Sequence, residues 1–255
     1  MKVSIITVCY NSEKTIEDTI KSIASQTYKN IEYIIVDGGS KDDTNKIVEK
    51  YKDVVDVHIS EKDNGLYDAM NKGIKLASGD VIGILNSDDF FISDQSVEML
   101  MSGFTDPTID AVYSDLIYVD QDNVDKVTRL YSSKVFRPSL IKFGIMLPHP
   151  TFYAKREVYE KVGGYKLDYR VSADFEFITR CVVADVKMNR VPHITVKMRE
   201  GGVSSNGLKW RIHQNFEIVR ACKENNIYTN IFLVALKVPY KLFTLATRKF
   251  VKVKS

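Results

Sequence analysis

Short hydrophobic runs and amphipathic stretches alternate through the first part of the chain. Apolar runs rich in β-branched residues predict strands buried on both faces of a sheet, at Val3–Val8, Ile31–Val36, Val54–Ser60 and Asp80–Leu85. Between them, apolar side chains recur at helical spacing, as at Ile16, Ile20 and Ile23. Repeated strand–helix units with short connections predict an α/β fold, in which a doubly wound, mostly parallel sheet carries helices on both faces.

Polar residues mark where the first two predicted helices begin. Ser12 is a candidate N-cap for the first helix, which we expect to end near Gln26. Ser40, with Asp43 three residues later, resembles a capping box with the shorter acid. It predicts a second helix that ends near Tyr51.

The second half of the chain is less regular. Alternating positions predict an edge strand or a hairpin at Ala111–Asp120, and the prolines around His149 predict extended chain at Met146–Tyr153. Helices are expected at Glu157–Val162 and Ser172–Asp185. No repeat or low-complexity linker divides the chain. We therefore expect one domain over residues 1–225 and a C-terminal tail at 226–255.

Polar and acidic residues follow each of the four predicted strands. They lie at Thr7–Asn11, Asp37–Ser40, Glu61–Gly65 and Asn86–Asp89. Because ligands of open α/β sheets bind beyond the carboxyl ends of the strands, these segments are the candidate binding site.

Two adjacent acids, Asp88 and Asp89, are the first candidates for chemistry in that site. Two carboxylates held close together repel unless a cation neutralises them, and hard oxygen ligands favour Mg²⁺ or Mn²⁺. The alternative is that both acids complement the dipole at the start of a helix.

Composition and charge exclude several classes of protein. The chain has 255 residues, 44% of them hydrophobic, which excludes intrinsic disorder. Three cysteines without a CxxC pair favour neither a disulfide scaffold nor a zinc ribbon, and they fit a reducing compartment. The first residues run directly into a strand and do not resemble a signal peptide, so we expect a cytoplasmic protein.

The net charge of +3 is unevenly distributed. Residues 237–255 hold six basic side chains and no acid, whereas the rest of the chain is mildly acidic. That distribution argues against a nucleic-acid-binding groove and raises the question of anionic lipid. The apolar run Ile231–Leu236 is too short to span a bilayer. The tail therefore predicts a basic amphipathic helix in the membrane interface, or else a helix docked on the domain or on a partner subunit.

Four segments in order resemble the family-2 glycosyltransferases of the GT-A fold, of the bacterial polysaccharide-biosynthesis type. The segments are Val3–Ser12, Ile34–Thr44, Asp63–Gly73 and Gly79–Asp89, and the likeness continues to about residue 205. The resemblance implies a nucleotide-donor half at 1–105 and an acceptor half at 106–225.

The resemblance also implies which residues bind the nucleotide. Asp37 corresponds to the acid that accepts a hydrogen bond from the uracil imide, and Lys72 to a base near the phosphates. The other nucleotide-side residues that it implies are Thr7, Cys9 and Tyr10 in the base pocket and Asp63, Asn64 and Gly65 in the loop beside it.

The segment Asn86–Asp89 resembles the DxD-type metal motif of the family, with Asn86 where an aspartate is usual. By that resemblance Asp89 is a ligand of Mn²⁺ or Mg²⁺, and Asp88 contacts the ribose or the metal. A cation held there would compensate the charge that grows on a diphosphate leaving group.

The acceptor hydroxyl needs a base, and Asp174 matches the acidic base motif of the family, with Ala173 in place of the usual glutamate. Glu176 is the second candidate on the acceptor side. The alternative for Asp174 is a helix cap. His149 lines the acceptor side or is a packed structural histidine. The segment Gly201–Ser205 is either a loop that closes over the donor or an ordinary turn.

Together these features predict an inverting transferase that moves a sugar from a nucleotide-sugar, most simply a UDP-sugar, to a saccharide or lipid-linked saccharide. A homodimer and peripheral contact with the inner face of the cell membrane are compatible with this, and nucleic acid is not an expected partner. The alternatives are a sugar-nucleotide-binding module without activity and a nucleotidyltransferase. The loop after the first strand lacks the glycines and basic residues of a nucleotidyltransferase.

Overall fold

The structure, a computed structural model, describes residues 1–201 and 208–237. Its strands are β1 Val3–Cys9, β2 Ile31–Asp37, β3 Val57–Ser60, β4 Val81–Ile84, β5 Phe90–Phe91, β6 Ala111–Val119, β7 Val127–Tyr131, β8 Tyr153–Lys155 and β9 Met188–Arg199. Its α-helices are α1 Ile16–Ala24, α2 Thr44–Glu49, α3 Leu66–Leu76, α4 Ser96–Met101, α5 Arg156–Val162, α6 Ala173–Val183, α7 Leu208–Glu224 and α8 Ile231–Ala235. Short 3₁₀ helices lie at Ser133–Val135, Pro138–Phe143 and His149–Thr151.

Within the described residues the strands form one sheet in the order β3-β2-β1-β4-β8-β6-β9-β5, and β7 pairs with β6. The first four strands are parallel, as predicted. The second half makes the sheet mixed, because β8 runs antiparallel to β4 and β6 while β9 runs parallel to β6. Parallel pairing of β1, β2, β3 and β4 brings their carboxyl ends to one edge.

Hydrophobic clusters cover both faces of this sheet. Ile5 and Ile6 are both fully buried but belong to different clusters, since successive side chains of a strand point to opposite faces. Helices α1 and α4 contribute to the cluster of Ile5, and α3 and α6 to the cluster of Ile6. The predicted placement of helices on both faces is therefore correct.

The edge-strand interpretation of Ala111–Asp120 is wrong. Strand β6 lies inside the sheet between β8 and β9, and its residues 111–117 are buried. The hairpin alternative is correct, since β6 pairs antiparallel with β7. Alternation along the sequence did not show this, because both faces of β6 are covered.

Neither predicted helix cap forms. Helix α1 begins at Ile16, and the Ser12 hydroxyl lies 2.9 Å from the Ser87 hydroxyl instead. Helix α2 begins at Thr44, and the Ser40 side chain hydrogen-bonds Asp37. Both serines therefore stabilise the loops at the carboxyl edge of the sheet.

The described part of the C-terminal tail, residues 226–237, packs on the domain. Helix α8 contacts α7 and the 3₁₀ helix Pro138–Phe143, and Val234 is fully buried. The Thr229 hydroxyl donates to the carbonyl of Lys142 at 2.5 Å. Residues 238–255 lie outside the described residues. Among the described helices, none is long and apolar enough to cross a membrane.

Candidate active site

Hydrogen bonds join the loops that follow β1 and β2. The backbone N–H of Asn11 donates to the Ser40 hydroxyl at 2.7 Å, and the N–H of Lys41 donates to Asn11 Oδ1 at 2.9 Å. Asn11 has a φ of +50°, in the left-handed region that asparagine tolerates better than most residues. These contacts give the carboxyl edge a defined shape.

Asp37, predicted to contact the uracil ring, is the centre of this loop network. Its carboxylate accepts hydrogen bonds from Ser60 Oγ at 2.6 Å, from Asn45 Nδ2 at 2.8 Å and from the backbone and hydroxyl of Ser40. Burial alone would raise the pKa of Asp37, but these hydrogen bonds lower it below its usual value. Asp37 is therefore ionised and held rigidly at the end of β2.

Two residues assigned to the base pocket are buried. Thr7 is fully buried and pairs with the Tyr33 hydroxyl at 3.1 Å, and Cys9 is 5% exposed in the cluster beside α1. The Cys9 thiol nevertheless lies 3.7 Å from Asp37 Oδ1, and the assignment of both residues to the base pocket stays a prediction. Tyr10 is 59% exposed, and its ring is free to stack on a base.

The loop before α3 lies against the loop after β2. A Cβ added at Gly38 would lie 2.3 Å from Asp63 Oδ2, so only glycine allows this approach. Asp63 Oδ1 accepts from the N–H of Gly65 at 2.8 Å, and Gly65 has a φ of +106°. The backbone N–H of Asn64 donates to Asp68 Oδ2 at 2.9 Å, which ties this loop to the first turn of α3.

Lys72 lies on α3 with its ammonium already engaged. It is 2.8 Å from Glu61 Oε1 and 3.0 Å from the carbonyl of Lys62, and the Glu61 hydrogen bond raises the pKa of Lys72. Lys72 thus holds the loop beside the predicted nucleotide site and would have to leave Glu61 to reach a phosphate.

Asn86, Asp88 and Asp89 form a tight turn after β4. Asp89 is fully buried, and its Oδ1 and the Oδ1 of Asn86 are buried without a hydrogen-bond partner. Burial raises the pKa of Asp89 well above its usual value, and the neighbouring charge of Asp88 raises it further. Burial also raises the pKa of Asp88.

Such a turn suits a divalent cation. Two buried oxygen atoms without partners are costly in a protein interior, and a hard cation would satisfy both. Across the described ranges, no group of three or more His, Cys, Asp or Glu side chains could hold a metal by itself. The donor set fits Mg²⁺ or Mn²⁺ only where a substrate oxygen completes the coordination.

Arg199, at the end of β9, contacts this turn and was not found from the sequence. It is 5% exposed, donates from Nη1 to the carbonyl of Asp88 at 2.7 Å, and lies 4.8 Å from the centroid of the Phe90 ring. Its position depends on the parallel pairing of β9 with β6, which no local pattern predicts.

Asp174 lies in the first turn of α6 and is partly exposed. Burial raises its pKa to about 6, although its Oδ1 accepts from the N–H of Phe175 at 2.8 Å. A carboxylate with this pKa is ionised at neutral pH and is more basic than an ordinary aspartate, as a general base should be.

Glu176 is fully buried and ion-paired. Its carboxylate lies 2.8 Å from Arg180 Nε and 2.9 Å from Lys166 Nζ. Its carboxylate is engaged by these two cations in the interior, and its assignment to the acceptor side stays a prediction.

His149 is 8% exposed, and its Nε2 lies 2.7 Å from the Tyr165 hydroxyl. Burial lowers the pKa of His149 to about 4, so the ring is neutral at physiological pH. The structure shows a packed histidine whose partner Tyr165 lies near Asp174, and the acceptor-side assignment of His149 stays a prediction. Of the predicted loop at 201–205, only Gly201 lies within the described residues.

The sequence profile of the family described as Glycosyl transferase family 2 matches residues 4–163. A relative from Mycobacterium tuberculosis, the uncharacterized glycosyltransferase Rv1514c, is 34% identical over 185 residues, covering 71% of this chain and 69% of its own length. A second, WfaP of Escherichia coli, is 31% identical over 220 residues, covering 84% of each chain. WfaP is described as a UDP-Glc:α-D-GlcNAc-diphosphoundecaprenol β-1,3-glucosyltransferase.

Solved structures share the fold. Residues 1–349 of Staphylococcus aureus TarS in complex with UDP-GlcNAc superpose with a TM-score of 0.71 at 19% identity, covering all of this chain and 76% of that one. Glucosyl-3-phosphoglycerate synthase of M. tuberculosis, with Mn²⁺ and UDP, gives a TM-score of 0.60 at 19% identity, with coverage of 90% and 81%. These likenesses confirm the GT-A fold predicted from the sequence.

Proposed function

The chain belongs to glycosyl transferase family 2 and is a glycosyltransferase, and from this premise we propose that it moves a sugar from a UDP-sugar to a hydroxyl of a saccharide or lipid-linked saccharide. Family membership favours this activity over an inactive binding module or a nucleotidyltransferase. The UDP-linked donor is supported by the UDP-sugars of WfaP and TarS. The description of WfaP, whose acceptor is a diphosphoundecaprenol-linked sugar, supports the lipid-linked class.

The buried, unpartnered Oδ1 atoms of Asp89 and Asn86 carry the proposal. Asp89 with Asn86 or Asp88 would hold a divalent cation, Mn²⁺ or Mg²⁺, which supplies compensating charge to the diphosphate of the donor. Mn²⁺ in the structure of glucosyl-3-phosphoglycerate synthase supports the metal. In our proposal, the exposed ring of Tyr10, the carboxylates of Asp37 and Asp63, and the loop at Asn64 and Gly65 surround the nucleoside.

Asp174 is the proposed base. Its carboxylate accepts the proton of the acceptor hydroxyl as that oxygen attacks the anomeric carbon from the side opposite the UDP group. The bond between the anomeric carbon and the phosphate oxygen breaks, UDP leaves with the electron pair, and the anomeric configuration inverts. A pKa of about 6 suits Asp174 to this step at neutral pH.

Calorimetric titration of UDP tests the donor site. We expect UDP to bind with Mn²⁺ present and about tenfold or more weakly with a chelator. Asp89→Asn should abolish the difference between the two conditions. Asp53→Asn, at an exposed acid after α2, should behave as the wild type does. Equal affinity of the wild type with and without metal would overturn the metal site, and absence of UDP binding would overturn the UDP donor.

A second proposal concerns the membrane. On the segment that contains α8, Tyr228, Phe232 and Leu236 recur at intervals of four and are 80%, 81% and 53% exposed. The sequence after residue 237 adds five basic residues and no acid. Exposed apolar side chains beside a basic segment are typical of attachment to an anionic membrane surface, which would bring a lipid-linked acceptor to the site.

Sedimentation with lipid vesicles tests this attachment. The protein should sediment with vesicles that contain phosphatidylglycerol and not with pure phosphatidylcholine, and Phe232→Ser should weaken binding severalfold. Leu167→Ser, at an apolar residue with 53% exposure elsewhere, is the matched control. Equal binding by Phe232→Ser would overturn the proposal. Loss of a dimer in that variant, without vesicle binding by the wild type, would assign the surface to a second copy of the chain.

A further inference from the structure

A buried carboxylate from α7 holds the segment that leads into α6. Glu217 is 6% exposed and accepts hydrogen bonds from three consecutive backbone N–H groups, those of Arg170 at 2.7 Å, Val171 at 3.0 Å and Ser172 at 2.9 Å. His213, one turn earlier on α7, lies 3.0 Å from Glu217 Oε1 through its Nε2. Asp174 follows two residues after this anchored segment.

A tyrosine from α3 reaches the same place from the opposite side. Tyr67 is 8% exposed and lies beside the start of α6, where its side chain lowers the pKa of the Asp174 carboxyl while the Asp174 charge raises the pKa of Tyr67. Its ring stacks on that of Tyr165, with 5.8 Å between the ring centroids. The Tyr165 backbone is itself held by Asn71, through hydrogen bonds of 2.7 and 2.8 Å.

We propose that Glu217 and Tyr67 are positioning residues for Asp174, a role that rests on the function proposed for Asp174 above. Glu217 fixes the backbone before the base and presents a negative charge to it. Tyr67 stacks on Tyr165 beside the first turn of α6, and its side chain favours the ionised form of Asp174. The two residues therefore place Asp174 together but act on its charge in opposite directions.

The described groups that face Asp174 come from four elements. Tyr67 faces it from α3, Tyr165 from the chain between α5 and α6, Glu217 from α7 with His213 behind it, and the N–H of Phe175 from α6 itself. Glu217 is the anion among them and Tyr67 supplies the side-chain hydroxyl. A shift of the Asp174 midpoint to lower pH can therefore be assigned to loss of Glu217, and a shift to higher pH to loss of the Tyr67 hydroxyl.

Titration of ¹³Cγ-labelled aspartates by NMR tests the proposal without any substrate, with the Asp174 signal assigned by its loss in Asp174→Asn. Glu217→Gln should move the Asp174 midpoint to lower pH, because a negative charge is removed. Tyr67→Phe should move it to higher pH, because the hydroxyl that lowers the pKa of Asp174 is removed. Glu224→Gln is the matched control, a carboxylate on the same helix that pairs instead with Lys166 and Arg220.

The fall in the transferase rate at acidic pH should shift in the same directions as the Asp174 midpoint. At a pH below the midpoint, the fraction of its own plateau rate that Glu217→Gln keeps should be about twofold or more larger than the fraction that the wild type keeps. The fraction that Tyr67→Phe keeps should be smaller than that of the wild type. Midpoints that do not move, or that move the same way in both variants, would overturn the positioning role. A wild type whose rate is unaffected by Asp174→Asn would instead overturn the proposed base, whatever the NMR titration shows.

Discussion

Arg199 donates a 2.7 Å hydrogen bond from Nη1 to the backbone carbonyl of Asp88, and through Nη2 it also pairs with Asp18 on α1. One planar guanidinium thus connects the end of β9, the first helix and the acidic turn after β4. Burial raises the pKa of Asp88 and Asp89, and the positive charge of Arg199 opposes that effect. Arg199 therefore supports both the shape and the ionised state of the proposed metal turn.

Arg199→Lys should weaken Mn²⁺-dependent UDP binding about tenfold, since a lysine keeps the charge but cannot hold two partners in a fixed fork. Calorimetry with and without Mn²⁺ measures the effect. Arg190→Lys is the control, because Arg190 lies on the same strand and pairs with Asp115 away from the acidic turn. An equal loss of affinity in both variants would indicate general damage to β9 instead of a specific role for Arg199.

Asp174→Asn should stabilise the fold while it abolishes transfer. In the folded protein the pKa of Asp174 is raised by burial to about 6, so the unfolded chain, with its lower pKa, releases this proton more readily. Below about pH 3 the group is protonated in both states and costs nothing. The cost develops as pH rises to about 6 and stays constant above it. We expect a gain in unfolding free energy of about 2–3 kcal/mol at pH 7.5.

Denaturant unfolding at pH 7.5 and pH 4 measures this difference. Asp53→Asn, at an exposed acid, should leave the stability nearly unchanged at both values. A stability gain for Asp174→Asn that is the same at both pH values would contradict the raised pKa. UDP affinity should be retained, because Asp174 is placed on the acceptor side of the reaction.

The sequence was sufficient to predict the four parallel strands of the sheet and the position of the acidic turn after β4. Both depend on local signals, such as the β-branched run of β1 and the adjacent acids Asp88 and Asp89. The placement of Thr7 and Cys9 could not be inferred in this way. Their position at a strand end was correct, but the face on which a side chain lies depends on the helices packed against β1, in this case α1.

Residues that act across long separations in sequence were the ones missed. Glu217 anchors residues 170–172 from a separate helix, and Arg199 reaches Asp88 across the sheet. Tyr67 and Asn71 were part of a recognised motif, but their partners Asp174 and Tyr165 lie about a hundred positions away. Neither charge nor periodicity identifies such partners, because both are properties of neighbours in sequence.

Gly38→Ala should reduce UDP affinity without destabilising the protein. The added Cβ would lie 2.3 Å from Asp63 Oδ2, the end of a side chain that can rotate away, so the stability should change by less than about 1 kcal/mol. The displaced carboxylate would leave the proposed nucleotide site, and affinity should fall about fivefold or more. If Asp63 is the cause, the double variant with Asp63→Ala will lose no more affinity than Asp63→Ala alone.

Glu176→Gln separates the two acids of the α6 motif. Glu176 is fully buried between Arg180 and Lys166, so replacing its charge leaves two cations without their shared partner and should cost about 2–4 kcal/mol of stability. Glu224→Gln, which removes a half-exposed partner of the same Lys166, should cost about 1 kcal/mol or less. At a temperature well below either melting point, both variants should keep the wild-type turnover, and the turnover should fall at the same acidic pH as in the wild type. If Glu176→Gln stays folded but loses turnover, Glu176 and not Asp174 is the base. We expect the opposite result, because ion pairs already hold the Glu176 carboxylate.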